Sequence, residues 1–187
     1  MKETKLLGTY ITEDLKWDRN TEEIAKSAWK RMQLLCKAAN FTSSIMDLKN
    51  IYFTFIRSIL EKSAVVWHSS LTKKNRQTLE RVQKAAVKII LKNRYTNYKQ
   101  GLNFLKIENL DERRRQLCLK FAKNCLKIEK AKGMFNKKTK LHKMKMRKQK
   151  LYEEKNIRTK RYQKSAIPYL TKLLNIDNEE KKQIMMS

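Results

Sequence analysis

Residues that could perform catalysis or hold a metal ion are few in this chain of 187 residues. A two-metal reaction needs paired carboxylates, but the sequence contains no Asp-Asp dipeptide, and Asp14 and Asp18 stand four residues apart. His68 has no nucleophile or carboxylate beside it in the sequence, which favours a structural or solvent-facing role. Cys118, Cys125 and His142 lack zinc-knuckle spacing, and no Walker loop or His-Glu-x-x-His motif occurs. We therefore predict no catalytic residue and no metal ligand.

The chemistry that the sequence does favour is binding of phosphates. Lys+Arg number 45 against 18 Asp+Glu, which gives a formal net charge of +27 and a pI of about 10.1. Such a charge repels itself in the compact state and attracts polyanions. Nucleic acid is the first candidate, because backbone contacts need lysine or arginine and no particular base chemistry. An anionic membrane surface is the second candidate.

Three basic regions supply the predicted contacts. The first is a face of the helix that follows Thr72, for which a merely solvated face is the alternative. The second is an arginine cluster at a helix start, where the unfavourable helix dipole is offset by Asp111 and Glu112 or by an external phosphate. The third is the stretch 129–164. The predicted nucleic-acid contacts are Arg76, Arg81, Lys84, Lys88, Arg113, Arg114, Arg115, Lys145, Arg147, Lys148, Lys150, Arg158, Lys160 and Arg161.

The stretch 129–164 differs in composition from the rest of the chain. Fifteen lysines and arginines lie between Lys130 and Lys164, against two acids, Glu153 and Glu154. Its apolar residues are sparse and have no helical period, which predicts a flexible or marginally helical linker. Such a linker orders on nucleic acid or, alternatively, only adds non-specific charge.

The predicted fold is mainly α, since three Gly and one Pro leave few turns. We expect a short N-terminal β-hairpin, an antiparallel helical bundle, and a basic, partly flexible tail that ends in a helix. The hairpin prediction comes from the apolar, β-prone residues 5–11, followed by a turn at Glu13-Asp14. The predicted domains are 1–19 (hairpin), 20–128 (bundle), 129–164 (basic linker) and 165–187 (C-terminal helix).

Apolar residues at helical spacing mark the faces of the predicted helices. Helix starts are predicted at Asn20, which is followed by Glu23, and at Ser44 and Thr72. The stretch 51–92 forms two helices separated by a polar break at His68-Ser69-Ser70. The predicted inward residues are Ile24, Ala28, Met32, Leu35, Ala39, Ile51, Phe55, Ile59, Leu60, Leu79, Val82, Ala86, Ile89, Ile90, Leu117, Cys118, Phe121, Cys125, Leu170, Leu173 and Leu174.

The cysteine content indicates a reducing compartment. Cys36, Cys118 and Cys125 are too few and too irregular for a disulfide framework, and we expect them on apolar faces. No secretory segment or long uncharged apolar run occurs. The expected location is therefore intracellular, in the nucleus or the cytoplasm.

Four stretches resemble the reverse transcriptases of non-LTR (LINE-like) retrotransposons. They are LLG with the following ITEDLKW, the segment YFTFIRSILEKSAVVWHSSLTKKNRQTLERVQKAAVKIIL, the segment NYKQGLNFLKIENLDERRRQLCLKFAKNCLK, and the tail RTKRYQKSAIPYLTKLLN. The family usually has Pro where Ser58 stands and Tyr where Lys62 stands. The resemblance covers nearly the whole chain but only the last part of the family's polymerase, namely the palm edge, the thumb and the C-terminal extension.

The resemblance implies a role for the N-terminal hairpin. Leu6, Leu7 and Gly8 match the family's primer grip, which holds the 3′ end of the primer, although an ordinary glycine at a bulge is an equally good account. The family's Tyr-x-Asp-Asp hairpin precedes this grip, whereas Met1 stands only a few residues before Leu6. The resemblance therefore implies a truncated, non-catalytic fragment, with Mg²⁺ expected only in the full-length family.

The expected function is backbone binding of RNA or an RNA–DNA template–primer duplex, with the missing palm domain as a further partner. One alternative is a stand-alone basic nucleic-acid-binding protein derived from a transposon. Another is a non-functional remnant. Binding of membranes or of an acidic protein is a weaker third alternative.

Overall fold

The computed structural model describes residues 3–41, 44–137 and 150–184. It confirms the predicted fold class, which is mainly helical with a short N-terminal hairpin. In chain order, the elements are β1 (Glu3–Leu6), β2 (Thr9–Thr12), α1 (Asp18–Phe41), α2 (Ile45–Ile51), a π-helical turn (Tyr52–Arg57), α3 (Ser58–Glu61), α4 (Ala64–Trp67), a 3₁₀ turn (His68–Ser70), α5 (Lys73–Leu91), a 3₁₀ turn (Lys92–Arg94), α6 (Tyr98–Leu105), α7 (Leu110–Cys125), α8 (Glu129–Lys132), α9 (Lys160–Gln163) and α10 (Ala166–Ile184).

The described residues form two compact units. Unit 1 draws on Met1–Ala64 and Leu71–Arg114, and unit 2 draws on Val65–Ser70 and Arg115–Ser187. The division differs from the four predicted segments, because it follows packing rather than composition. The predicted segment boundaries stay a prediction.

The hairpin of unit 1 turns at Leu7 and Gly8. β1 and β2 pair antiparallel, with Leu6 opposite Thr9. Both turn residues have positive φ, 48° at Leu7 and 78° at Gly8, as a two-residue type I′ turn requires. Glycine carries no β-carbon penalty at this φ, which explains why the turn falls at Gly8.

Two of the three predicted helix starts are confirmed. The Ser44 hydroxyl accepts a hydrogen bond from the Asp47 amide at 3.2 Å, and the Thr72 hydroxyl accepts one from the Asn75 amide at 3.2 Å. The prediction at Asn20 is wrong.

Asn20 is buried inside α1, which begins at Asp18. The Asn20 side-chain oxygen accepts a hydrogen bond from the Tyr10 amide at 3.1 Å. This side chain therefore ties β2 to α1 and is not available as a cap.

In unit 1, α1 and α5 pack side by side and run in the same direction. Near the helix starts, the Asn75 amide donates to the Asp18 carboxylate at 2.9 Å. Near the helix ends, the Lys92 ammonium donates to the Ala39 carbonyl at 2.5 Å. The predicted inward face of α1 is buried throughout. On α5, Leu79, Val82, Ala86 and Ile90 are buried and Ile89 is partly buried.

Of the predicted stripe Ile51, Phe55, Ile59 and Leu60, only Leu60 is fully buried, and Phe55 is 38% exposed. The other buried side chains are Leu48, Tyr52 and Ile56, so the stripe is displaced by one residue. Both stripes have four-residue spacing, so periodicity could not choose between them. The choice depends on Tyr52, which combines an apolar ring with a hydroxyl that has a buried partner on α5.

The core of unit 2 joins α7 and α10 to residues of the predicted basic linker. Leu170, Leu173 and Leu174 are buried, as predicted, together with Cys118 and Cys125. The same cluster contains Ala122, Phe135 and Tyr152. All three cysteines are free, but Cys36 is exposed, contrary to prediction, because it lies just beyond the edge of the buried face of α1 that contains Leu35.

The side chain of Asn175 on α10 holds the linker to this core. Its oxygen accepts from the Tyr152 amide at 2.9 Å, and its nitrogen donates to the Tyr152 carbonyl at 3.1 Å. An isolated bridge also pairs Lys137 with Tyr152. Phe135 and Tyr152, two described residues of the predicted linker, are therefore packed into the core of unit 2.

The prediction that Leu117 and Phe121 point inward is wrong. Leu117 is only partly buried and Phe121 is 44% exposed. Within unit 2, the buried face of α7 consists of Cys118 and Cys125, as predicted, and of Ala122. Small side chains allow the leucines of α10 to approach closely, and this packing outweighs the larger apolar area of Phe121.

Candidate nucleic-acid interface

The exposed side of α5 carries a row of cations. Lys74, Arg81, Lys84 and Lys88 are all exposed, and at 100° per residue they fall within an arc of about 80°. We call these four residues the α5 basic face. From Lys74 to Lys88 the row extends about 21 Å along the helix axis. This arrangement suits contact with several successive phosphates.

No carboxylate interrupts the α5 basic face. Glu80 is the single acid between Lys73 and Lys92, and at 100° per residue it lies about 40° outside the basic arc, on the flank beside Lys84. One Glu80 oxygen accepts a hydrogen bond from the Tyr98 hydroxyl, and the other accepts from the Leu110 amide at 3.2 Å. Within the described ranges, none of the four basic residues forms an ion pair.

The buried side of α5 fixes the orientation of this face. Leu79, Val82, Ala86 and Ile90 are at most 2% exposed. On another side, α6 approaches so closely that a β-carbon at Gly101 would lie 2.7 Å from a methyl group of Val87. Glycine at position 101 therefore permits the contact between the two helices.

A buried polar network underlies α5. Gln83 is fully buried and accepts a hydrogen bond from the Tyr52 hydroxyl at 2.5 Å. Its amide nitrogen donates to the Tyr98 hydroxyl and to the Glu108 carbonyl, both at 2.9 Å. Because each polar group has a partner, the network fixes the register of α5 against its neighbours.

Arg114 also lies in the interior. It is fully buried, and burial lowers the pKa of its guanidinium, an effect that the negative charges of Asp111, Glu80 and Glu61 oppose. Sequence analysis grouped Arg114 with the phosphate contacts, but in this conformation its guanidinium is not accessible to a phosphate outside the protein.

Two other predicted contacts are engaged within unit 1. Arg76 forms an ion pair with Asp111. Arg113 pairs with Glu61 at 3.1 Å, and Glu61 also pairs with Arg57 at 3.2 Å. At the start of α7, Arg113 is thus balanced by Glu61 from α3, and Asp111 is the largest negative influence on Arg114, followed by Glu80 and Glu61. Arg115 belongs to unit 2 and is partly buried.

The remaining predicted contacts lie in and beside the linker of unit 2. Arg158, Lys160 and Arg161 are exposed around the one-turn helix α9. Lys150 pairs with Glu154 at 2.7 Å. Lys145, Arg147 and Lys148 lie outside the described residues.

The primer-grip-like residues occupy the hairpin turn. Leu6 and Leu7 are 59% and 87% exposed. At Gly8, the Lys62 ammonium occupies the space that a β-carbon would take. The close approach that glycine permits is therefore made here by a side chain of the same unit.

Sequence analysis missed further cations. Lys74 belongs to the α5 basic face and has the same helical period as Arg81 and Lys88, so the spacing alone could have identified it. On α1, Lys26, Lys30 and Lys37 form a second exposed row. No acid occurs between Glu23 and Asp47, which is the signal that could have identified this row.

Comparisons with known proteins identify no relative: no protein-family model, no curated protein and no solved structure matches the chain. Among the described residues, no group of three or more His, Cys, Asp or Glu side chains is placed to hold a metal ion. No helix within 3–41, 44–137 or 150–184 is long and apolar enough to cross a membrane.

Proposed function

We propose that this chain binds the phosphate backbone of an RNA or RNA–DNA duplex through the α5 basic face. The observation that carries the proposal is the run of four exposed cations with no acid among them. A row of about 21 Å along a helix matches the length of about six phosphates on one strand, which are about 3.4 Å apart along the duplex axis.

The resemblance to non-LTR reverse transcriptases supports the same assignment. It matches α5 and its neighbours to the thumb of those enzymes, the part that contacts the template–primer duplex. Within this proposal the chain acts by binding, without catalysis of its own, and the two aspartates of a polymerase site would come from a palm domain.

The supporting helices favour a rigid binding surface. Phosphate contacts position a protein on a duplex only if the cations are held in a fixed arrangement. Burial of Leu79, Val82 and Gln83 on the opposite side of α5 supplies this support. Lysines on a flexible segment would attract the duplex but would not fix the position of the protein along it.

The proposal is tested by a triple substitution, Arg81→Gln, Lys84→Gln and Lys88→Gln. Affinity for an RNA–DNA hybrid of about 20 base pairs is measured by fluorescence anisotropy over a range of salt concentrations. We expect affinity to fall more than tenfold, and the slope of log K against log salt to become shallower by about 3, since three phosphate contacts are lost.

A matched control removes the same charge from α1 through Lys26→Gln, Lys30→Gln and Lys37→Gln. These side chains are also exposed on a helix of unit 1. An equal loss in both variants would overturn the assignment to α5, because it would indicate attraction by net charge alone. Binding to anionic vesicles without binding to the hybrid would overturn it in favour of a membrane surface.

A further inference from the structure

Unit 2 contains a cleft of about 630 Å³ between the start of α10, the α9 turn and the irregular segment 150–157. Clefts of this size hold small molecules or a few chemical groups of a larger ligand. The volume is suited to one or two nucleotides and is far too small for a duplex. The cleft lies in a different unit from the α5 basic face.

One wall of the cleft is apolar and open to solvent. Tyr162 is 45% exposed and Ile167 is 42% exposed, and Pro168 lies next to Ile167. The hydroxyl group of Thr159 accepts a hydrogen bond from the Tyr162 amide at 3.2 Å, which holds the backbone at the aromatic residue. An exposed ring beside apolar groups is a stacking surface for a planar ligand.

The rim of the cleft is basic. Lys155, Lys164 and Lys172 line it, and all three are exposed. The stretch from Lys155 to Lys164 contains five basic residues and no acid.

Two carboxylates also line the cleft. Glu154 accepts hydrogen bonds from Lys150 at 2.7 Å and from Asn175 at 3.1 Å, so its charge is already balanced within the protein. Glu153 is exposed. The three lysines therefore leave the cleft with an excess of positive charge.

We propose that this cleft binds a single-stranded segment of nucleic acid, with one base stacked on Tyr162 and the adjoining phosphates contacted by Lys155, Lys164 and Lys172. A base in a duplex is already stacked and paired, so its face is not available to a side chain, whereas a single strand offers both a base face and a backbone. The inference rests on the proposed function because both take nucleic acid as the ligand. The residues of the cleft are separate from those of the α5 basic face.

The test measures binding of a fluorescent oligouridine of about 12 nucleotides to the full chain. Tyr162→Ala is expected to weaken binding about tenfold, the usual effect of losing one stacked base, and Tyr162→Phe is expected to stay within about twofold of the parent. Phe121→Ala is the matched control, because Phe121 is a 44% exposed aromatic residue of the same unit that does not line the cleft.

Parallel measurements on the RNA–DNA hybrid separate this inference from the proposed function. If both hold, Tyr162→Ala weakens only single-strand binding and the triple α5 variant weakens only hybrid binding. If hybrid binding is absent while Tyr162→Ala still weakens oligouridine binding, the proposed function fails and this inference stands. Equal oligouridine affinity of Tyr162→Ala and Phe121→Ala would overturn the inference, as would a loss in Tyr162→Phe equal to that in Tyr162→Ala.

Discussion

The guanidinium of Arg114 shows how a single residue can carry a family-like motif for a structural reason. Its charge lies near Glu61, Glu80 and Asp111, which come from α3, α5 and α7. Residues from two of the stretches that resemble reverse transcriptases are therefore neighbours within unit 1. Their charges stabilise the contacts between these helices, a role that needs no nucleic acid.

Replacement of Arg114 distinguishes a structural role from a phosphate contact. Arg114→Ala removes a fully buried cation from among the partly buried carboxylates of Glu61, Glu80 and Asp111, so we expect the free energy of unfolding to fall by about 3 kcal/mol. This is measured by urea denaturation followed by circular dichroism. Hybrid affinity of the folded variant should stay within about twofold of the parent, since the α5 basic face is unchanged.

Lys120→Ala is the control for this substitution, because Lys120 is an exposed cation on the same helix. We expect it to change the free energy of unfolding by less than about 0.5 kcal/mol. A stable Arg114→Ala protein with weakened hybrid binding would contradict the structural role.

The sequence predicted helix caps correctly where the cap depends only on neighbouring residues. Ser44 and Thr72 cap their helices as expected, because a cap needs a hydroxyl and the amide three residues later. Asn20 has an equally suitable side chain, but the amide of Tyr10 on a neighbouring strand takes its oxygen. The sequence contains no local sign of that partner.

At the scale of elements, helical periodicity located the helices but could not always choose the buried face. The inward faces of α1 and α5 were predictable because polar residues occupy the opposite side. Along 51–60 and along α7, two adjacent stripes are both apolar. The choice there depends on the neighbours, namely Gln83 for Tyr52 and the leucines of α10 for Cys118.

The basic linker contains two buried residues that composition alone did not indicate. Phe135 and Tyr152 are isolated apolar residues without helical period, yet they are 3% and 5% exposed. Both residues lie in irregular backbone. Tyr152 is held by a hydrogen bond to Asn175 and by the bridge to Lys137, which lies two residues after Phe135. Such long-range partners have no local signature, so the candidate cleft beside this segment could not be predicted either.

The pairing of α7 with α10 gives a pH-dependent contribution to stability. The Asp177 carboxylate forms ion pairs with the ammonium groups of Lys123, at 2.6 Å, and of Lys181, at 3.0 Å. Burial raises the pKa of Asp177, but the hydrogen bonds and charges of the two lysines outweigh this effect and lower it below the usual 3.8. A carboxylate with a lowered folded-state pKa contributes stability above pH 3.8, which is lost as the pH falls through the folded-state pKa.

We therefore expect Asp177→Asn to lower the free energy of unfolding by about 1 kcal/mol at neutral pH. The difference from the parent should shrink as the pH falls below 3.8, because the Asp177 carboxylate is protonated first in the unfolded chain and then, at lower pH, in the folded chain. Urea denaturation at a series of pH values measures this convergence. Glu129→Gln serves as control, since Glu129 pairs only at the exposed surface with Lys132 and has 87% of its side chain exposed. A difference that stays constant with pH would contradict the assignment.

At the scale of the whole molecule, the net charge of +27 acts on both folding and binding. Like charges held close together in the compact state destabilise it relative to the unfolded chain. The same charges attract a polyanion, whose condensed counterions are released on binding. Salt screens the repulsion and so stabilises the folded chain. Salt also opposes counterion release and so weakens binding of a polyanion.

We expect the thermal midpoint of the free chain to rise by several degrees between about 50 mM and about 500 mM NaCl, as the screening length falls from about 14 Å to about 4 Å. Over the same range, affinity for the RNA–DNA hybrid should fall by several orders of magnitude. The triple α5 variant carries three fewer positive charges, so its midpoint should start higher and rise less. A midpoint that falls with salt would contradict this account, because it would mean that ion pairs such as Lys123–Asp177 contribute more to stability than the net repulsion subtracts.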